Sequence, residues 1–408
     1  MRDITVGVDI GTTAITTIVT ERTNEGKVRV LGVGASPSVG IRRGVIVELG
    51  EAARSFRRSL LEASRASGVT IRSVVVGVGG PHLATSSLRG AVAVSRADGE
   101  ITEDDVRRAV AAVEGLVPKN PNREIIHLIP RTFAIDGERG IADPVGMVGM
   151  KLEVEAFVVD GARSALQNII KCCELAGVAV DDWVASVLAA STVLLDRQQR
   201  ELGAILLDLG AGTTDYAIFE EGRVLDVGSF PIGGERITSD IAIGLRVPVA
   251  VAEAIKVRYA QAFGSERVPK RDTIQLAEFI ANDPSVFAVR DLADIIAARL
   301  SDVFELAVKA MKKVGRAGLL PGGVVLAGGV SDTPGIQGLA RRELRLPIEV
   351  AKAIALEELH DVVPPRFAVA LGLILWHDRS GRARSPGFMR HFGALGERIK
   401  EFLRAFIP

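Results

Sequence analysis

Cysteine is almost missing: the 408 residues hold two, Cys172 and Cys173, side by side. Adjacent cysteines pair only with strain and cannot frame a fold, so a disulfide scaffold is excluded and a reducing cytoplasm is expected. Both read as small residues of a helix or core. Charge of one sign is missing too, since 50 Lys and Arg balance 50 Asp and Glu. A neutral chain has no global pull toward nucleic acid or an anionic surface, and no nucleic-acid partner is expected. The longest apolar run, Phe367 to Trp376, falls short of the ~20 residues that span a bilayer. The start, Met-Arg-Asp-Ile-Thr, runs at once into a strand, so no signal peptide is expected. No Gly-x-x-x-x-Gly-Lys-Ser/Thr occurs, no Gly-x-Gly-x-x-Gly opens a helix after a strand, and no His/Cys cluster has zinc spacing.

What is present is a chain that is 48% hydrophobic, long enough for two or three domains with sizeable cores. Strand patterns at 4–8, 14–19, 28–33 and 73–78 alternate with a helix at about 51–67. A small unit of its own follows over 83–160. It has strands near 90–95, 125–135 and 152–159, and a helix opened by Thr102 with Asp105 in a capping-box spacing. A helix at 165–176 returns the chain to the first half. The second half opens at Gly203 with strands at 204–207 and 216–219. A mainly helical stretch covers about 237–314, and a buried strand lies at 323–327. Strands alternating with helices define the α/β class.

Two segments carry the chemistry. Val6-Gly-Val-Asp-Ile-Gly-Thr-Thr13 and Leu206-Leu-Asp-Leu-Gly-Ala-Gly-Thr-Thr214 each join a buried strand, an aspartate, a glycine turn, two hydroxyl residues and a second strand. Gly11, Gly210 and Gly212 carry no side chains, so backbone N–H groups can face phosphate oxygens. Thr12, Thr13, Thr213 and Thr214 add hydroxyl donors. Asp9 and Asp208 would repel phosphate directly, and fit instead as outer ligands of a hydrated Mg²⁺, which holds its waters tightly. One such hairpin alone is an ordinary glycine turn. Two in one chain imply a duplicated fold that clamps one anion from both sides. Gly233-Gly234 before a helix and Gly328-Gly329 after a strand would let backbone lie flat against a base or ribose; each alone also fits a tight strand–helix turn.

This order of loops resembles the actin, sugar-kinase and heat-shock-chaperone ATPase superfamily, and within it the FtsA family. Gly7-Val-Asp-Ile-Gly-Thr-Thr13, Gly212-Thr-Thr-Asp215, Thr238-Ser-Asp-Ile-Ala-Ile-Gly-Leu-Arg246 and Leu320-Pro-Gly-Gly-Val-Val-Leu-Ala-Gly-Gly329 carry the resemblance. It implies an actin-like two-domain ATPase fold with a duplicated core that binds ATP and Mg²⁺. Gly233, Gly234, Glu235 and Lys256 would serve one side of the nucleotide, and Gly328, Gly329 and Val330 the other. Residues 1–82, 161–202 and 358–377 would form subdomain 1A, with 83–160 the inserted subdomain 1C. Residues 203–236 and 315–357 would form 2A, and 237–314 would form 2B.

The resemblance further implies self-assembly into filaments and later division proteins held by the insert. It also implies that 2B receives the C-terminal tail of the ring protein FtsZ, with Arg299 in Ile295-Ile-Ala-Ala-Arg299 as the contact. One departure bears on mechanism. Where the superfamily often has Glu or Gln to place the attacking water, this chain has Ser186-Val-Leu-Ala-Ala190. Slow hydrolysis is therefore expected, with Asp208 left to orient water and ATP acting mainly as an assembly switch.

Residues 378–387, Asp-Arg-Ser-Gly-Arg-Ala-Arg-Ser-Pro-Gly, read as a linker. In the tail over 388–408, Phe388, Phe392, Leu395, Ile399, Phe402, Leu403 and Phe406 recur at helical spacing, with charges largely elsewhere. Such a helix suits an anionic lipid interface, and the pattern alone also fits docking on the body or a partner. FtsA-like proteins carry a membrane-targeting helix at this position, which implies the cytoplasmic face of the membrane at the division site. An actin-like scaffold of type IV pilus assembly would share the loops and the insert, but such proteins usually lack this tail. A small-molecule kinase would need a catalytic carboxylate facing an open substrate pocket, and a chaperone a separate peptide-binding domain; the sequence shows neither.

Overall fold

The computed structural model describes residues 3–263, 267–352, 359 and 363–379. The linker and apolar tail residues 380–408 lie outside the described residues, as does most of 353–362.

Two five-stranded sheets have matching topology. In the first, Asp3–Ile10 pairs antiparallel with Ala14–Arg22, which pairs with Val28–Pro37. On its other side Asp3–Ile10 runs parallel to Ser73–Val78, and that strand to Ala179–Ala185. In the second, Ala204–Leu209, Thr214–Glu220 and Arg223–Phe230 form the antiparallel set. Gly323–Ala327 and Ile348–Val350 add the parallel one. The parallel strands Ser73–Val78 and Gly323–Ala327 are nearly all buried, as expected for strands covered on both faces.

Helices Leu49–Ser67 and Arg163–Ala176 cover one face of the first sheet. Phe56, Leu60, Cys172 and Cys173 pack there against Val6, Val8, Val74 and Val76. Both cysteines are thus core residues, and burial pushes the Cys172 thiol up to about 11. The opposite face holds two apolar helices, Ser186–Leu194 and Ala368–Arg379. They cross so closely that a Cβ at Gly372 would lie 2.0 Å from the Ala189 carbonyl oxygen, and the second helix sits so close on the sheet that a Cβ at Gly7 would lie 2.1 Å from the Ala370 carbonyl oxygen. The core around them takes Val75 and Val184 from the first sheet and Leu206, Ala217 and Val325 from the second. The apolar run 367–376 is therefore spent on the join between the halves.

The insert forms its own sheet, ordered Ala84–Ala93, Lys151–Ala162, Arg123–Ile135, Glu138–Ile141, with helix Glu103–Leu116 packed on it. Thr102 and Asp105 form the reciprocal capping box at that helix's start. The edge strand begins at Ala84, six residues before the pattern at Gly90 suggests, because Leu88 is the one large apolar residue in Ala84–Arg89 and the segment is held by pairing with Lys151–Ala162. The insert docks on the second half at Asp226, whose buried carboxylate accepts from Thr85 (2.8 Å), Tyr216 (3.0 Å) and Lys313 (3.0 Å).

The stretch expected to be helical contains Gly234–Leu245, Val249–Tyr259 and the 25-residue Val289–Lys313. It also holds a short hairpin, Thr273–Gln275 with Val286–Ala288, whose three-residue strands are too brief for an alternation signal. Among the described residues no helix is long and apolar enough to cross a membrane.

Candidate functional site

Both glycine hairpins line one cleft of about 860 Å³ between the halves. They share one register. In the first, Asp9 stands opposite Thr16 and Ile10 opposite Ile15. In the second, Asp208 stands opposite Asp215 and Leu209 opposite Thr214. The turns close with the same bond: Gly11 N–H donates to the Ala14 carbonyl at 3.1 Å, and Gly210 N–H to that of Thr213 at 2.9 Å. A Cβ would lie 2.7 Å from the Ala14 oxygen at Gly11 and 3.0 Å from the Thr213 oxygen at Gly210. The close approach needs glycine. This register shifts the hydroxyl pairing suggested by the sequence: Thr12 and Thr13 match Ala211 and Gly212, not Thr213 and Thr214.

Of the candidate residues, Asp9, Gly11, Thr12, Thr13, Asp208, Gly210, Gly212 and Thr213 line the cleft at the loops. Gly234, Lys256, Gly328, Gly329 and Val330 line it further along. Three do not, and each departs from its expected place for a packing reason. Thr214 is buried in the sheet and donates its hydroxyl to the Ile232 carbonyl at 2.8 Å. Gly233 backs the second loop, where a Cβ would lie 2.5 Å from the Ala211 oxygen. Glu235 is exposed, and its amide supports that loop by donating to the Ala211 carbonyl at 2.8 Å. Gly234 N–H likewise donates to the Gly210 carbonyl at 3.0 Å. The free amides at this helix start thus hold the loop in shape.

At the loop end the cleft concentrates acid. Burial, then the charges of Asp208 and Asp215, push Asp9 up to about 7. Burial pushes Asp208 up to about 6. Burial and Asp208 push Asp215 up to about 7, partly opposed by the hydroxyls of Ser229 and Thr213. No lysine or arginine is among the causes of these shifts, and Asp215 Oδ1 is buried without a hydrogen bond. Three half-buried carboxylates without a cation fit a divalent ion. Among the described residues no three acidic, His or Cys side chains converge to ligate a metal directly. Ser186, at the start of its helix, shares this end; a Cβ at Gly77 would lie 2.7 Å from its Oγ.

At the other end the two glycine turns meet: a Cβ at Gly234 would lie 3.0 Å from Val330 Cγ2. Lys256 Nζ is fixed there by Glu253 (2.7 Å), Thr238 Oγ1 (2.7 Å) and the Gly234 carbonyl (3.2 Å). Gly329 has nothing within 4 Å of a built Cβ and leaves open space. Asp215 and Glu253 line the cleft although sequence reasoning does not single them out. Matched spacing is the signal that finds Asp215, since Asp208 and Asp215 are seven apart, like Asp9 and Thr16. Glu253 reaches the cleft only through the packing of Val249–Tyr259 on Gly234–Leu245, and no local pattern marks it.

Arg299 lies away from the cleft on Val289–Lys313. Its guanidinium grips Asp240 through two bonds (2.6 and 3.1 Å) and Asp302 through a third (2.7 Å). Asp240 belongs to the Thr238–Arg246 segment, so the contact residue that the resemblance implies is bound to a segment that carries the resemblance. Arg299 therefore does not present an unpaired charge.

Two halves with duplicated hairpin sheets around one cleft, plus an inserted unit in the first half, define an actin-like protein. A profile described as "Cell division protein FtsA" matches residues 205–372, and one described as "SHS2 domain inserted in FTSA" matches residues 80–160. Cell division protein FtsA of Pseudomonas aeruginosa is 34% identical over 372 residues, 91% of this chain and 88% of that protein. Among solved structures, a chain of the PilM-PilN type IV pilus biogenesis complex covers 91% of this chain and 97% of its own, with a TM-score of 0.65 and 18% identity. MreB 5 of Spiroplasma citri bound to AMPPNP covers 92% and 96%, with a TM-score of 0.54 and 13% identity. At such identities the structures show the fold alone. The chain belongs to the FtsA family of actin-like cell-division proteins.

Proposed function

We propose that the chain binds ATP with Mg²⁺ in the cleft and assembles with copies of itself. In that form it would hold FtsZ to the cytoplasmic face of the membrane at the division site and recruit later division proteins through its insert. The observation that carries nucleotide binding is the pair of register-matched hairpins, which between them carry three half-buried acids with no cation to offset them. Mg²⁺ bound between the phosphates and these carboxylates would supply that charge. Backbone N–H groups of the two turns, with the Thr12, Thr13 and Thr213 hydroxyls, would hold phosphate oxygens. Gly234, Lys256 and Glu253 would face the sugar and base from one side, and Gly329 and Val330 from the other. A fold relative carrying AMPPNP supports this use of the cleft.

Ser186 stands where a Glu or Gln would place water, so we expect hydrolysis to be slow, with Asp208 and Asp215 the carboxylates nearest that task. An FtsZ tail bound at Arg299 would share or displace the Asp240 pairing. The membrane part of the proposal rests on the apolar periodicity of residues 388–408, and on the basic linker before them.

The test is co-sedimentation with anionic liposomes, with and without ATP-Mg²⁺, comparing the full chain with a version ending at Asp378. We expect only the full chain to pellet, and ATP to promote ordered arrays on the lipid. If both versions stay in the supernatant, the tail is a docking helix and the membrane-scaffold proposal is wrong.

A further inference from the structure

The short hairpin of Ile41–Arg42 and Val45–Ile46 is wedged between the two phosphate-loop turns, and its own turn is Arg43-Gly44. Both turn residues have positive φ, 50° at Arg43 and 72° at Gly44. That is the primed two-residue turn, which favours Asn or Gly at its first position. An arginine there carries backbone strain that asparagine would not. Strained residues that persist at a ligand cleft point to a use for the side chain.

The turn touches both phosphate loops and the Gly79-Gly80 segment at the loop end of the cleft. Gly44 N–H donates to Thr12 Oγ1 at 3.2 Å, which ties it to the first loop. A Cβ at Gly212 would lie 2.8 Å from Arg43 Cα and 2.6 Å from Thr12 Oγ1, so the second loop also presses on it. A Cβ at Gly80 would lie 3.4 Å from the Arg43 carbonyl oxygen. Gly44, Gly80 and Gly212 all line the cleft. Arg43 is exposed, and its guanidinium has no partner among the described residues.

Two of the three cations that do line the cleft are already engaged. Lys256 is fixed by Glu253 and Thr238, and Arg258 pairs with Glu278 at 2.7 Å. The third, Arg366, lies over the Phe367 ring. A triphosphate would add negative charge beside three acids, in a place where no protein cation is held.

Resting on the nucleotide reading above, we infer that Arg43 is the phosphate-contacting cation of this cleft. Its guanidinium folds over the terminal phosphate of a nucleoside triphosphate, while its backbone braces both loops. A planar guanidinium suits phosphate oxygens two at a time. On this reading the contact favours triphosphate over diphosphate, since a diphosphate lacks the phosphate that Arg43 would meet.

The experiment measures equilibrium binding of fluorescent AMPPNP and ADP, each with Mg²⁺, to the full chain and to Arg43→Asn, Arg43→Lys and Arg42→Asn. Asparagine accepts positive φ, so Arg43→Asn keeps the turn, and its unfolding temperature should equal or exceed that of the parent chain. Arg42→Asn removes the same charge from the neighbouring residue. We expect Arg43→Asn to weaken AMPPNP binding roughly tenfold or more, the scale of a charge-assisted phosphate contact. ADP binding should change much less, Arg43→Lys should recover part of the loss, and Arg42→Asn should bind both as the parent does. Unchanged AMPPNP binding by Arg43→Asn would overturn the inference and leave the nucleotide reading standing. So would equal loss of both nucleotides, or equal loss in Arg42→Asn. A parent chain that binds neither nucleotide overturns the nucleotide reading itself, and this inference with it.

Discussion

The residue opposite the strand-end aspartate is Thr16 in the first hairpin and Asp215 in the second. The turns that follow have the same length and the same closing bond. Like charges directly across a ladder destabilise a sheet, so the second hairpin holds an unfavourable pair that the first avoids. The turn tips differ in the opposite sense. Thr13 is exposed in the first, whereas the matching Gly212 is pressed between Thr12 and Arg43. At the tip, one position leaves its side chain open and the other has no room for one, although both come from one pattern. Duplication supplied the scaffold, and the neighbours of each copy gave it a separate task.

Exchanging the two tips tests this contrast with the largest expected effect. Gly212→Thr puts a branched side chain against Arg43 backbone and the Thr12 hydroxyl. It should cost about 2–4 kcal/mol of stability and lower nucleotide affinity by at least about tenfold, a loss of ~1.4 kcal/mol. Thr13→Gly should leave thermal unfolding within about 0.5 kcal/mol of the parent. Calorimetry and nucleotide titration on both variants check the pair, and equal damage in the two would mean that the tips are equivalent.

The acid pair comes next. Asp9 and Asp215 are raised to about 7 and Asp208 to about 6. From pH 4 to 7 the folded chain therefore holds protons that the unfolded chain has released, so stability without ligand falls as pH rises through that window. Asp215→Asn removes one such group. At pH 7.5 it should stabilise the ligand-free chain by on the order of 1–2 kcal/mol, with a shallower loss of stability from pH 5 to 7.5. The same variant should bind Mg²⁺-nucleotide more weakly. Denaturant melts at the two pH values settle the sign, and a destabilised variant would show that Asp215 is held by partners after all.

The smallest effect belongs to the first hairpin. Thr16 Oγ1 is buried with no hydrogen bond. Thr16→Val keeps the shape and removes an unpaired hydroxyl, so it should raise stability by about 0.5–1 kcal/mol. Nucleotide affinity should stay within about threefold, less than 1 kcal/mol. A larger loss of affinity would make Thr16 a ligand contact and bring the hairpins closer in role.

Much of the fold is legible in the amino-acid pattern. Ser73–Val78 and Gly323–Ala327 have the bounds that their apolar runs suggest. Thr102 and Asp105 announce their helix start by spacing alone. These signals are local, and local geometry decides them. Ala179–Ala185 and Arg223–Phe230 give no clear pattern, because they carry Asp182, Asp226 and Ser229 among apolar residues. Asp226 is tolerated in a strand because Thr85, Tyr216 and Lys313 satisfy it from three separate segments.

At the site, local pattern dictates the two hairpins, their glycines and their aspartates, since a strand–turn–strand unit is a matter of backbone sterics and period-two alternation. Packing across the molecule settles everything that depends on what lies opposite. It turns Thr214 and Gly233 inward as support and uses the Glu235 amide to hold a loop. It locks Arg299 onto Asp240, gathers Asp9, Asp208 and Asp215 into one acidic cluster, and sets Arg43 between the loops. Such contacts join residues tens to hundreds of positions apart, and their energies depend on burial and on neighbouring charge, which no stretch of sequence carries on its own.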